Sequence, residues 1–272
     1  MNTNEYRPHE LRFAYCYRVY FRWQTYRGRP NQSLRSLTKT ILDSLVQSYG
    51  IRILECSVEL TDIVVLVSLK PTETISACAG KLKGRVSKWL NQQLDLSTPS
   101  LLLSRSYFAY TTGPSSREAI EKYLDDQGVH HGYANRDRPP IFVESYIEQI
   151  DERRLSSKHA LVIAKFHIVL CAKFRRGVFG SSEGRLVTEE WRRREVELKM
   201  GILKVSFVPD HVHIAIRLHP EVSPAEAVAA LMNSAQEILG GRGILQESAY
   251  IGSFGELTSP EISRYVRRAF EE

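Results

Sequence analysis

Two short segments of the chain carry residue types that could do chemistry together. His211-Val212-His213 sets two imidazoles two positions apart. On a strand, alternate residues leave the same face, so both rings would project together. Neutral imidazole is the commonest protein ligand for a metal. The same tripeptide also occurs as plain decoration on a solvent-facing strand, and the three residues alone leave both readings open. The second segment is Tyr123-Leu-Asp-Asp-Gln127. On a helix, positions i and i+4 share a face, so a phenol and a primary amide could reach one site. A phenol has a pKa near 10 and is a weak nucleophile at neutral pH. It would need a polarised electrophile held in line.

The elements that must position these residues recur along the chain. Residues 57–71, SVELTDIVVLVSLKP, match residues 206–220, SFVPDHVHIAIRLHP, with Ser, Leu and Pro aligned. Each ends in an alternating strand: Ile63, Val65, Val67 and Leu69 in the first, Val212, Ile214, Ile216 and Leu218 in the second. Upstream of each lies another strand, residues 15–21 and 160–172. Downstream comes a helix, about residues 72–94 and 223–239, the second opened by a Ser223 to Glu226 capping box with Pro224 at its first position. Then come an aromatic strand, residues 106–111 and 249–254, and a glycine, Gly113 and Gly255. A short helix bearing a tyrosine ends each half, Tyr123 or Tyr265, opened by Ser115 with Glu118 and by Thr258 with Glu261. The hairpins turn near Leu60-Thr61 and Pro209-Asp210.

Each half therefore reads β-α-β-β-α-β-α. That order predicts an α+β fold with helices on one face of an antiparallel sheet, present in two tandem copies. The expected domains are residues 1–132 and 158–272. Residues 133–157, with Arg136-Asp-Arg-Pro-Pro140 and Asp151-Glu-Arg-Arg154, read as a linker.

Composition narrows the function classes. The 272 residues include 37 Lys+Arg against 31 Asp+Glu, a net charge of +6 that permits a polyanionic partner. The longest apolar run, residues 160–172, is broken by Lys165 and His167, so no membrane span is expected. The N-terminal residues lack the apolar core of a signal peptide. Cys16, Cys56, Cys78 and Cys171 form no CxxC pair, so a cytoplasmic protein without disulfides or structural zinc is expected.

The second half resembles the HUH single-tyrosine transposases, the TnpA-type enzymes of the smallest bacterial insertion sequences and their REP-associated relatives. The resemblance rests on His167-Ile-Val-Leu-Cys-Ala-Lys-Phe-Arg-Arg176, Pro209-Asp-His-Val-His-Ile214 and Tyr250-Ile-Gly-Ser-Phe-Gly255. The first half is similar to the same family over Ser106-Tyr-Phe-Ala-Tyr-Thr-Thr-Gly113 and the Tyr123 to Gln127 segment. The resemblance implies a ferredoxin/RRM-like sheet whose two histidines hold a divalent metal, Mg²⁺ or Mn²⁺. It implies a tyrosine that attacks single-stranded DNA, at hairpin or repeat ends, and keeps a 5′-phosphotyrosine link. It also implies that a glutamine one turn after the tyrosine completes the metal site.

This chain departs from the pattern in both halves. At the histidine positions the first half has Asp62-Ile63-Val64, and valine binds no metal. Four residues after Tyr265 the second half has Ala269, not glutamine. The losses are complementary. In the family, which forms homodimers, the tyrosine helix of one subunit commonly completes the histidine site of the other. A tandem fusion would then be an intramolecular pseudo-dimer, monomeric or dimerising again, with one composite site: His211, His213, Gln127 and Tyr123. A site within the second half using Tyr265 is the alternative.

Basic clusters supply candidate DNA contacts: Lys81, Arg85 and Lys88 on one helix face with Lys83 beside them, then Arg175-Arg176, Arg192-Arg193-Arg194 and Arg267-Arg268. Trp89 and Trp191 are candidate base-stacking residues. His130 and His131 would point to opposite sides of any strand and read as loop residues after Gln127, and His159, His167 and His219 lack a partner at ligand spacing. Gly240-Gly241-Arg242-Gly243 reads as a helix stop. Two other classes stay in view: a non-catalytic nucleic-acid-binding relative, and a metal-independent RNA endonuclease of tandem ferredoxin-like fold.

Overall fold

The computed structural model describes residues 5–94, 101–127, 142–146, 155, 160–258 and 261. Its two halves fold alike. In the first, β2 (Arg18–Gln24), β3 (Arg52–Val58), β4 (Asp62–Ser68) and β5 (Tyr107–Thr112) lie in the order β3-β4-β2-β5. In the second, β8 (Lys165–Ala172), β9 (Met200–Val208), β10 (His211–Leu218) and β11 (Leu245–Phe254) lie in the matching order β9-β10-β8-β11. Two helices follow the same plan in each half: α1 (Lys39–Val46) and α2 (Ile75–Gln93), then α4 (Ser181–Arg193) and α5 (Pro224–Leu239), with α3 (Arg117–Asp125) after β5. This is the α+β arrangement of two tandem ferredoxin-like units.

The local causes are those legible in the chain. On β4, Ile63, Val65 and Val67 alternate into the core. They share it with Cys78, Leu82, Val86 and Leu90 of α2, whose fourfold spacing keeps one helix face inward. On α5 the Ser223 hydroxyl accepts from the Glu226 N–H while the Glu226 carboxylate reaches back to the Ser223 N–H, closing the capping box. Gly240 ends that helix in the left-handed region, φ 94°. Ser116, not the expected Ser115, caps α3 through the Ala119 N–H.

The two halves are interlaced rather than strung together. Residues 15–21 and 160–172 each read as one strand, and each is broken at one residue and shared between sheets. β1 (Arg12–Cys16) pairs in parallel with β11, and β2 begins one residue later in the other sheet. β7 (Ala160–Ile163) pairs in parallel with β5, and β8 begins after Ala164. At each crossing a hydroxyl bonds the backbone groups that leave one ladder for the other. Ser253 Oγ accepts from the Arg18 N–H at 2.8 Å and lies 2.6 Å from the Thr112 carbonyl. Thr111 Oγ1 accepts from the Lys165 N–H at 2.8 Å and donates to the Phe254 carbonyl at 2.7 Å. Here backbones meet so closely that a Cβ on Gly113 would lie 2.0 Å from the Ser253 oxygen, and one on Gly255 would lie 2.3 Å from the Thr111 oxygen. Tyr17 and Phe166 pack edge to face across the same junction, 5.1 Å between centroids.

Residues 142–145, inside the stretch read as a linker, form β6 (Phe142–Ser145) on the outer edge of β9. Among the described residues no helix is long and apolar enough to cross a membrane.

Candidate active site

The second sheet has two faces. Val212, Ile214 and Ile216 of β10 turn into the core shared with α4 and α5. His211, His213, Ala215 and Arg217 alternate onto the other face, and α3 of the first half covers that face. Leu124 of α3 packs with Leu203, Ala215 and Phe254, with Ile120 and Tyr123 alongside. The Arg117 N–H donates to the Gly255 carbonyl at 2.9 Å, and Asp125 meets the buried Lys204 ammonium at 2.7 Å. Helix α3 is thus fixed at both ends on the other half's sheet.

That docking brings Tyr123 to the histidines. Its ring meets the His213 ring edge to face, 5.3 Å between centroids, and lies 6.0 Å from the His167 ring. His211 and His213 are 4.9 Å apart by the same measure. Gln127 is buried, and its amide nitrogen donates to the Tyr123 carbonyl at 2.8 Å. The end of that side chain able to ligate a cation is therefore Oε1. The expected composite residues come from different halves of the chain, Tyr123 from α3 and the histidines from the adjoining sheet, while Gln127 follows α3, which ends at Asp125, rather than continuing it as the i, i+4 reading expected. Tyr265 and Ala269, like His130, His131, His159, Arg267 and Arg268, lie outside the described residues.

Three groups join the site without having been singled out for it. His167 of β8 lies opposite Ala215 of β10, and its Nε2 is 3.0 Å from His213 Nδ1. Burial lowers its pKa to about 4, so this imidazole is neutral at pH 7. Spacing along the chain could not reveal it. The antiparallel register could, because it sets His167 on the face that carries His211 and His213. Asp210, read only as a turn residue, accepts from His211 Nδ1 at 2.7 Å and pairs with Arg175 at 2.7 Å. Tyr250 of β11 places its ring 5.8 Å from that of His167; burial, Cys16 and Tyr123 raise its pKa.

The donor set fits a divalent cation in one respect and limits it in another. Both His211 and His213 present Nδ1 to a neighbour, Asp210 and His167 respectively, the orientation that leaves Nε2 as the ligating nitrogen. Among the described residues no three His, Cys, Asp or Glu side chains converge as a complete metal set. A cation held here must draw on other donors, and Gln127 is the amide just beyond the C-terminus of the facing helix.

The matching face of the first sheet is of another kind. Asp62 is ion-paired with Arg22 at 2.9 Å, and Val64 packs with Leu54, Phe108 and Tyr110 around Tyr20 and Leu66. The expected DNA-contact residues differ in how they are engaged. Lys81 pairs with Glu73 at 2.7 Å, Arg85 donates to the Tyr49 hydroxyl at 3.0 Å, and Lys88 is exposed. Lys83 donates to the Arg105 carbonyl, and burial lowers its pKa to about 8. Arg192 lies over the Tyr146 ring, and Arg193 and Arg194 pair with Glu190 and Glu197. Arg176 lies over the Phe174 ring. Trp191 is fully buried, stacks on Phe207 and donates to the Leu231 carbonyl, so it cannot stack on a base. Trp89 is partly buried against the core. The His219 ring accepts from the Glu221 N–H.

Compared with known proteins, the chain matches the family described as "Transposase IS200 like" over residues 12–127 and 161–269, one segment in each half. Among solved structures it is similar to a crystal structure at 1.90 Å from Deinococcus radiodurans R1, a protein whose transposase designation is provisional. The two are 22% identical with a TM-score of 0.33, over 42% of this chain and 92% of that one. No curated protein matches.

Proposed function

The chain belongs to the IS200-like transposase family, and from that premise we propose that it nicks and rejoins single-stranded DNA at one composite site, through a covalent link to Tyr123. The observation that carries this reading is the 5.3 Å edge-to-face contact between the Tyr123 ring of the first half and the His213 ring of the second. A tyrosine helix kept only for packing has no need to set its phenol against the paired imidazoles.

In this reading His211, His213 and Gln127 hold Mg²⁺ or Mn²⁺. When bound, the cation supplies Lewis-acid polarisation of the scissile phosphate. The chain's own residues do the rest. Asp210 accepts the His211 Nδ1–H, and His167 accepts the His213 Nδ1–H, so each imidazole keeps Nε2 for ligation. Tyr123 Oη attacks phosphorus as its proton leaves. The bond from phosphorus to the 3′ oxygen breaks, and that oxygen takes up a proton. The 5′ phosphate remains esterified to Tyr123, so one phosphodiester replaces another and attack by a 3′ hydroxyl reverses the step. Helix α3 holds the phenol through its packing on Leu203, Ala215 and Phe254, the kind of positioning that makes a step effectively unimolecular.

Because only one half carries the histidines, one chain holds one nucleophile and one cation site. It cuts one strand at a time unless two chains associate. A hairpin or repeat end in the cytoplasm is the expected substrate. The test is a denaturant-stable adduct between the protein and single-stranded DNA in Mg²⁺ or Mn²⁺. A 3′-labelled strand should carry the protein on its 3′ fragment. Cleavage that is complete in EDTA and leaves no adduct would instead favour a metal-independent nuclease.

A further inference from the structure

A single strand needs aromatic planes for its bases and cations for its phosphates. With Trp191 buried, the planes must come from elsewhere. Phe174 is 75% exposed. It stands just beyond β8, where Phe174 and Arg175 adopt φ 58° and 55°, a backbone conformation that L residues rarely take. The matching turn after β2 has Arg27 at φ 54° instead, so the geometry recurs but the bare phenyl belongs to the half with the histidines. Lys173 Nζ lies 5.6 Å, and Arg176 Cζ 5.5 Å, from the Phe174 ring centroid. Arg175 ties the loop to the site through Asp210 and hence His211.

Two cavities that share Arg12 form a trough from Tyr250 to this loop. The first, of about 360 Å³, is lined by Arg12, Ala14, Val169, Cys171, Ser248 and Tyr250, and the Tyr250 ring lies 5.8 Å from that of His167. Val169 and Cys171 alternate with Ile168 and Leu170 onto the histidine face. A second cavity of about 370 Å³ is lined by Arg12, Lys173, Phe174, Arg175 and Gln246. Arg12 belongs to both, and it comes from the first half through β1. Among the described residues Arg12, Lys173 and Arg176 make no ion pair with a carboxylate. Glu247, which also lines the second cavity, is paired with Arg242.

We propose that this trough binds the single-stranded DNA flanking the reacting phosphate, with a base stacked on Phe174 and phosphates on Arg12 and Lys173. Unbalanced cations select a polyanion. An exposed ring between two of them selects one whose base faces are open, which a duplex hides. The small side chains Ala14 and Ser248 on the trough floor leave room for the strand beside Tyr250. The proposal rests on the function proposed above and adds the residues that receive the substrate.

The test uses the full chain in EDTA, with a fluorescein-labelled single strand and the corresponding duplex as probes. Phe174→Ala should weaken single-strand binding by about tenfold or more and leave duplex binding unchanged. Arg12→Ala should make the dependence of log affinity on log salt shallower by about 0.7, one phosphate contact. Phe174→Trp should bind as the parent does, and its added fluorescence should be quenched by the single strand. If both alanine variants bind like the parent with the same salt slope, while the parent still binds and forms its adduct, the trough is not the site and the proposed function stands. If the parent neither binds a single strand nor forms an adduct, both readings fall.

Discussion

The junction between the halves positions Tyr123, the proposed nucleophile, and Gly113→Ala strikes it directly. A methyl group there would lie 2.0 Å from the Ser253 oxygen and 3.1 Å from the Ser253 carbonyl carbon. Both are backbone atoms, so no side chain can swing away. β5 and β11 must separate by roughly 1.5 Å to reach ordinary contact. The bonds that bridge them are short: Thr111 Oγ1 to the Phe254 carbonyl at 2.7 Å, and Ser253 Oγ to the Thr112 carbonyl at 2.6 Å. Overpacking of about 1–3 kcal/mol, with about 1 kcal/mol for each of the two weakened bonds, sums to about 3–5 kcal/mol. At this chain length that is about 6–20 °C in Tm. Activity should fall further than stability, because α3 begins at Arg117 and its first N–H is bonded to Gly255. A shift of about 1 Å at the reacting atoms costs roughly 100-fold in rate. The assays are thermal melting and the rate of adduct formation. Gly80→Ala and Gly84→Ala are the controls: both glycines are exposed on α2 with nothing within 4 Å of an added Cβ, and each should stabilise by about 0.5–1 kcal/mol. A Gly113→Ala protein that melts within a degree of the parent and forms adduct at the parent rate would refute this view of the junction.

Three further outcomes are expected. His211→Ala and His213→Ala should abolish Mn²⁺ binding measured by calorimetry, whereas Asp62→Ala should leave it intact; loss of binding in Asp62→Ala would put the cation in the wrong half. Asp210→Asn should weaken Mn²⁺ affinity by about 10- to 100-fold through a poorly held His211; unchanged affinity would mean that the 2.7 Å bond does not orient the ligand. The metal-free chain should lose stability on acidification. The pKa of His167 is depressed in the fold, from 6.5 to about 4, so between these values the unfolded chain binds the extra proton. The stabilisation is complete above pH 6.5 and falls as pH drops toward 4, by about 3 kcal/mol at most. Chemical denaturation across that range checks it, and His167→Phe with the parent's slope would show that another group is responsible.

How far the sequence discloses this arrangement can be argued from particular residues. The period-2 alternation of Ile63, Val65 and Val67, the Ser223 cap and the repeated glycines are local signals, and the elements they announce are present. The exchange of β1 and β7 between sheets is not local. Residues 160–172 read as one strand because apolar residues dominate on both sides of Ala164, and only the partner strands reveal the break there. His167 was missed for a related reason. Its neighbour His213 is 46 positions away in the chain and 3.0 Å away across the sheet, a relation fixed by register rather than spacing. Tyr250 and Phe174 lie in segments that carry the family resemblance, but their spacing assigns neither a role. Their interest comes from exposure, which an apolar residue type argues against. By contrast Tyr123, Gln127, His211 and His213 were legible because their losses in the two halves are complementary, and complementarity is visible in a duplicated chain.

The most direct test of the composite site is to follow the covalent adduct in single-residue variants. Parent protein, Tyr123→Phe, Tyr250→Phe and Tyr265→Phe are incubated with 3′-labelled single-stranded DNA and Mn²⁺, denatured, and the labelled adduct is mapped by peptide mass. The account predicts that the label resides on the peptide containing Tyr123, that Tyr123→Phe forms none, and that Tyr250→Phe and Tyr265→Phe still do. An adduct that persists in Tyr123→Phe and vanishes in Tyr265→Phe would contradict it and move the chemistry wholly into the second half.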